Sequence, residues 1–163
     1  MQRIDKTPML NIIYTLVQFT WGFLQSIAGA VIFLKNIRCK HFVYHGAIVT
    51  EWRSPTSVSL GIFVFVTDKP YFYDKVKDVI PENEIESRIL VHEYGHTIQS
   101  LMLGPLYLFV IGIPSTVWAF IPSLVKKRHE KQISYFALYP ERWANYLGEK
   151  VTGDSSPGSI VID

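Results

Sequence analysis

The chain has 163 residues, room for one domain with a real core, and a formal net charge of only +2, which leaves no broad cationic footprint for nucleic acid. It is 48% hydrophobic and 18% charged, below the quarter or so of charged residues in a soluble domain. The single cysteine, Cys39, excludes an internal disulfide and fits a reducing compartment. No Gly-rich phosphate loop, serine-nucleophile elbow, aromatic RNA-binding stripe or internal repeat is present.

The charge deficit is concentrated in two stretches. From Thr7 to Leu34 there are 28 residues without Asp, Glu, Lys, Arg or His. As one helix, Met9 to Leu34 would be about 40 Å long, enough to span a bilayer with some tilt. Arg3 and Lys6 precede it, and Lys35, Arg38 and Lys40 follow. Ala28-Gly29-Ala30 mimics a signal cleavage site, but more apolar residues come after it. Residues 1–40 are therefore expected to form an uncleaved N-terminal transmembrane anchor, the alternative being a long buried helix.

Residues 42–52 and 58–66 are rich in β-branched and aromatic side chains, with Arg53-Ser54-Pro55-Thr56-Ser57 between them. They are expected to pair as a β-hairpin, with Gly46 and Gly61 marking bulges. His41 and His45 stand four apart here, but strand-like spacing keeps them from chelating one ion.

Pro81-Glu82-Asn83-Glu84 carries helix-start signals, Asn83 as a cap among them, and Leu103-Gly104-Pro105 carries the stop. Between them Ile85, Ile89, His92, His96 and Leu103 recur at helical spacing. Within that helix His92-Glu93-Tyr94-Gly95-His96 reads H-E-x-x-H. Two histidines four apart project from one face, so both imidazoles reach one ion. Glu93, beside the first ligand, is placed to take a proton from a metal-activated water.

The second stretch, Thr97 to Val125, has 29 residues without an ionisable Asp, Glu, Lys, Arg or His. Gly104, Pro105, Gly112, Pro114 and Pro122 break it into pieces too short to cross a bilayer singly. The basic run Lys126 to Lys131 follows, which tends to stay cytoplasmic and suits lipid headgroups.

Tyr139-Pro140-Glu141-Arg142-Trp143-Ala144-Asn145-Tyr146-Leu147-Gly148 reads as a second helix, with proline in its first turn and Gly148 at its end. Glu141 can complete a two-His, one-Glu site, and Asn145, one turn on, can orient a ligand imidazole by hydrogen bonding. All three ligands must then share one side of any membrane. The 97–125 segment is therefore expected to dip in and return, or to lie on the membrane face, with its bend near Gly112-Ile113-Pro114.

H-E-x-x-H followed by E-x-x-A-N over Glu141 to Asn145 resembles the gluzincin metallopeptidases, in particular the membrane-bound HtpX heat-shock and CaaX prenyl proteases; the short chain is similar in size to minigluzincins. That family usually has aspartate where Asn145 stands. The resemblance implies a zinc peptidase with His92, His96 and Glu141 as metal ligands, Glu93 as general base and Asn145 behind a ligand. It also implies an edge strand beside the active-site helix that holds substrate in extended form. Tyr135, Tyr139 and Tyr146 are three candidates for stabilising the oxyanion.

The expected fold is mainly α with a small β-hairpin or sheet (α+β). Residues 1–40 are the anchor, 41–152 a minimal zincin-like domain containing the apolar segment 97–125, and 153–163 a loose tail. The expected function is a zinc-dependent, membrane-associated endopeptidase acting on peptides or membrane proteins, its site on the cytoplasmic face and its oligomeric state open. Two alternatives remain: an inactive membrane protein that keeps the metal fold to bind a partner, and a site-2-type intramembrane protease, whose L-D-G aspartate motif is missing here.

Overall fold

The apolar stretch expected to form one spanning helix is two helices. α1 (Pro8–Thr20) and α2 (Phe23–Lys35) meet at Trp21-Gly22 with a bend of 99°. Their polar side chains explain the break. Ser26 Oγ donates to the Gln18 carbonyl at 2.7 Å across the bend, and Gln18 and Gln25 both turn inward to the same neighbouring helix. A straight helix would carry these groups away from their partners. The computed structural model describes residues 8–67 and 69–162, so Arg3 and Lys6 lie outside the described residues.

The expected single hairpin is a four-stranded sheet, β1 (Lys40–Tyr44), β2 (Ala47–Glu51), β3 (Val58–Leu60) and β4 (Phe63–Val66), in the order β1-β2-β4-β3. The difference lies in the two glycines. His45 and Gly46 both have positive φ (46° and 87°) and form a two-residue turn between Tyr44 and Ala47. Positive φ at both central residues matches the twist of a tight hairpin. Gly61 (φ 62°) turns the second hairpin between Leu60 and Phe63. These glycines are turns rather than bulges. Residues 53–57 connect the hairpins so that β2 and β4 run parallel and β3 becomes an edge.

After the short α3 (Tyr73–Val76) comes α4 (Glu82–Leu103), which carries both histidines. Pro81 is its N-cap and Asn83 lies inside its first turn, so Asn83 does not cap it. Its first turn holds Glu82 and Glu84, favourable at the positive end of the helix dipole. One face of α4 packs on the sheet with Val49, Phe63, Phe65, Leu90 and Tyr94 in the core. A second cluster joins Val76, Ile80, Ile85 and Ile89 to Phe136 and Ile162. The segment expected as a loose tail is thus laid against the body: Ser134 Oγ donates to the Ile160 carbonyl at 2.6 Å, and Ile162 is buried.

Beyond α4 the chain bends by 117° between Leu106 and Leu108, earlier than Gly112-Pro114. A π-helical turn at Leu108–Gly112 leads into α5 (Ile113–Phe120), and α6 (Pro122–Lys131) follows. Pro114 has no N–H to give the Val110 carbonyl one turn back, which accounts for the wider turn. The Tyr139 hydroxyl supplies the missing donor to that carbonyl.

α7 (Tyr139–Thr152) runs one turn past Gly148 and ends at Gly153, whose left-handed backbone closes it. Gly148 has another use. A side chain there would overlap the Val91 carbonyl of α4, and one at Gly95 would overlap the Ala144 carbonyl of α7. The two helices touch main chain to main chain at these points. Among the described residues no single helix is long and apolar enough to cross a membrane, although the pairs α1–α2 and α4–α5 pass the test of length and composition together.

Candidate metal centre

The close approach of α4 and α7 brings the three expected ligands together. His92, His96 and Glu141 are buried, and their ligand atoms lie within 4.8 Å of one another. Glu141 Oε2 sits 3.2 Å from His92 Nε2 and 3.4 Å from His96 Nε2. Neither approach is aligned as a hydrogen bond, so among the described residues this buried carboxylate oxygen has no hydrogen-bond partner. An orphaned acceptor deep in a protein is costly, and a cation between it and the two ring nitrogens would satisfy all three.

The far side of each imidazole is also arranged for ligation. His92 Nδ1 lies 2.7 Å from Asn145 Oδ1, and His96 Nδ1 lies 2.7 Å from Gln99 Oε1. Both amides are fixed in orientation. Asn145 Nδ2 donates to the Gly158 carbonyl at 2.9 Å, and Gln99 Nε2 donates to the Pro140 carbonyl at 2.8 Å. Each amide oxygen must therefore accept from an Nδ1–H, which directs both Nε2 atoms at Glu141. Two imidazoles and a carboxylate fit a divalent transition metal.

Ser115 of α5 donates to Glu141 Oε1 and lies 3.3 Å from the Tyr135 hydroxyl. Glu93 is buried beside the ligands, and Ser59 Oγ of β3 lies 2.7 Å from both its carboxylate and its main-chain carbonyl. Glu93 is thus tied to the edge strand.

Among the protein groups alone, burial pulls the His96 imidazole down, but the charge of Glu141 outweighs it and pushes the ring up to about 9. Burial likewise raises Glu141, and the charge of His96 with the contacts of both imidazoles overrides it, holding the carboxyl well below its ordinary range. Tyr107 is pushed up by burial and then by the charges of Glu93 and Glu141, and Tyr135 by burial and then by Glu141, so both stay neutral hydroxyl donors.

The site opens into a cavity of about 850 Å³ whose wall runs from Val58, Ser59 and Leu60 of β3 to Ile113 and Val117 of α5. Of the three tyrosines, only Tyr135 lines it. Tyr139 is occupied with Val110, and the exposed Tyr146 accepts from Lys150 Nζ at 3.2 Å. Tyr107 lines the cavity as well, and among the described residues its hydroxyl has no hydrogen-bond partner. Sequence reasoning missed Gln99, Ser59, Ser115 and Tyr107. Gln99 alone left a signal, standing three residues after a ligand histidine on one helical face. His41 is used elsewhere, its Nδ1 lying 3.0 Å from Thr50 Oγ1.

A scan against protein-family models, a search of curated proteins and a search of solved structures each found no match to this chain.

Proposed function

We propose that the protein is a zinc-dependent, membrane-associated endopeptidase of gluzincin type. The observation that carries this reading is the buried, unpartnered Glu141 oxygen facing two histidine nitrogens whose opposite edges are already spoken for. His92, His96 and Glu141 would hold the ion. Zinc bound there supplies Lewis acidity to a scissile carbonyl and to water.

The remaining work falls to the chain. Glu93, held by Ser59, accepts the proton of the attacking water and passes it to the leaving amine. The outer edge of β3 borders the cavity and offers main-chain groups to an extended peptide. Tyr107 and Tyr135, kept protonated, are the hydroxyls available to the carbonyl oxygen as it gains charge. A third ligand on α7 supports this reading over a site-2-type arrangement, which depends on a distant aspartate.

Elemental analysis of the purified protein beside His92→Ala tests the metal: about one zinc per chain in the former and little in the latter is expected. Glu93→Gln tests the chemistry. Zinc content should persist while cleavage of an unfolded protein substrate falls by roughly a hundredfold or more. Absence of zinc from the parent protein overturns the proposal. Undiminished biological activity in Glu93→Gln favours the partner-binding protein instead.

A further inference from the structure

α1 and α2 are inside out for water. Apart from Tyr14, which packs in the core, their buried side chains are polar: Gln18 Nε2 donates to the Thr97 carbonyl at 3.0 Å, and Gln25 Nε2 donates to Ser100 Oγ at 2.8 Å and to the Gly104 carbonyl at 3.0 Å. Ser100 Oγ donates in turn to Gln18 Oε1 at 3.0 Å. The outward faces are apolar, with Ile12 60%, Leu16 59%, Ile27 58% and Leu34 66% exposed. A helix on the surface of a soluble domain hides its apolar stripe and wets its polar one. The reverse order is what a hydrocarbon surround favours, since polar side chains there find partners only inside the protein.

A second surface of the same kind follows the bend after α4. Leu106 is 59% exposed, Phe109 67%, Ile113 53% and Phe120 67%. The two surfaces meet at their apices, where the Trp21 indole packs against Gly104. Each lies on its own bent pair, bent by 99° and 117°, and among the described residues no single helix is long and apolar enough to cross a membrane. A joined apolar surface of this extent on one side of a chain marks a binding face.

Charge indicates what covers it. Exposed Lys35, Arg38 and Lys40 lie at the end of α2, and exposed Lys126, Lys127 and Lys131 lie on α6 just beyond α5. The opposite end of α4, about 30 Å from Gly104 at helical rise, is mixed in charge: exposed Lys75 and Lys77 stand among Asp74, Asp78 and Glu82, and Lys77 pairs with Asp74 at 2.8 Å. Cations gathered at the borders of an apolar face match a bilayer with anionic headgroups.

We propose that the bent pairs α1–α2 and α4–α5 seat the protein in one leaflet of an anionic bilayer without crossing it, so that the mouth of the metal-site cavity opens at the lipid boundary. Ile113, Val117 and Phe120 belong both to the cavity wall and to the exposed apolar face. The substrate class follows, resting on the peptidase reading: apolar polypeptide segments presented at the headgroup level, entering between β3 and α5.

The test uses the full chain with vesicles of neutral phosphatidylcholine, with and without anionic phosphatidylglycerol. In a variant whose other tryptophans are replaced by phenylalanine, Trp21 fluorescence should be quenched by brominated acyl chains, and binding should strengthen with the anionic lipid. Native Cys39, and separately Gln2→Cys in a Cys39→Ser background, should both react with an impermeant maleimide added outside. Ile27→Glu with Phe109→Glu should weaken vesicle binding by more than about tenfold. The thermal transition measured by circular dichroism should be unchanged, which separates lost docking from lost folding.

Unquenched Trp21, binding indifferent to lipid charge, protection of one cysteine (a chain that crosses), or a dimer that hides this face in the presence of vesicles would each overturn the proposal. None of these readouts involves metal or cleavage, so its failure and that of the peptidase reading are separately visible.

Discussion

Asn145 holds His92 with one end of its amide and the Gly158 carbonyl with the other, at 2.7 Å and 2.9 Å. Gln99 does the same between His96 and the Pro140 carbonyl, at 2.7 Å and 2.8 Å. Each amide fixes a ring by being fixed itself, and a neutral acceptor suffices to keep the proton on Nδ1.

Removing either amide frees an imidazole ring and takes the donor from a main-chain carbonyl, that of Gly158 for Asn145 and that of the buried Pro140 for Gln99. Asn145→Ala and Gln99→Ala are each expected to weaken metal binding by about 10–100-fold. Competition against a chromophoric chelator measures this. Unchanged affinity in both variants would show that ring orientation is set by packing alone.

Ser59 is expected to matter to turnover and not to the metal. Its hydroxyl reaches the Glu93 carboxylate and touches no ligand. Ser59→Ala should lower kcat several-fold, at most about tenfold for the loss of one hydrogen bond, with zinc content and KM nearly unchanged. Steady-state kinetics on a peptide substrate separates these quantities.

The pH dependence of metal uptake follows from His96. With its pKa raised from 6.5 to about 9, the metal-free ring is protonated at neutral pH, and an incoming cation must displace that proton. Affinity should therefore climb as pH rises toward 9, and calorimetry in buffers of different ionisation enthalpy should show about one proton released at pH 7.5. For the chelator-treated protein the sign reverses. The stabilisation from His96 is complete below 6.5 and is lost as pH rises through about 9. That from Glu141, whose folded pKa is depressed, is complete above 4.5 and is lost as pH falls further. A melting series against pH distinguishes the two limbs.

Gly95→Ala should be severe for so small a change. The added methyl meets the Ala144 carbonyl, and neither helix backbone can yield as a side chain would. A loss of about 1–3 kcal/mol is expected, with weakened metal binding as α7 is pushed away. Gly148→Ala should behave alike through Val91. Gly158→Ala is the contrasting control: a positive φ of 68° strains it, but a Cβ there meets nothing.

The cluster of possible metal ligands was easier to foresee than the architecture. His92, His96 and Glu141 announce themselves because metal ligation needs particular side chains at particular helical spacing, and the structure brings the three into one cluster that could hold an ion. The supports did not announce themselves. Ser59 and Ser115 reach the site from β3 and α5, a relation that no local spacing encodes. The β-rich stretch has the composition of two strands, and only backbone conformation at His45, Gly46 and Gly61 makes it four. Apolar length suggested one straight helix over residues 9–34. The three polar residues Gln18, Gln25 and Ser26 broke it, a minority that hydropathy averages conceal.

Because Gly95 and Gly148 let two backbones rest on each other, the spacing between the histidine pair and its acid is dictated by peptide groups common to every sequence. Drift elsewhere in the chain can reshape the mouth of the cavity, while any ion held there would still meet the same three neighbours.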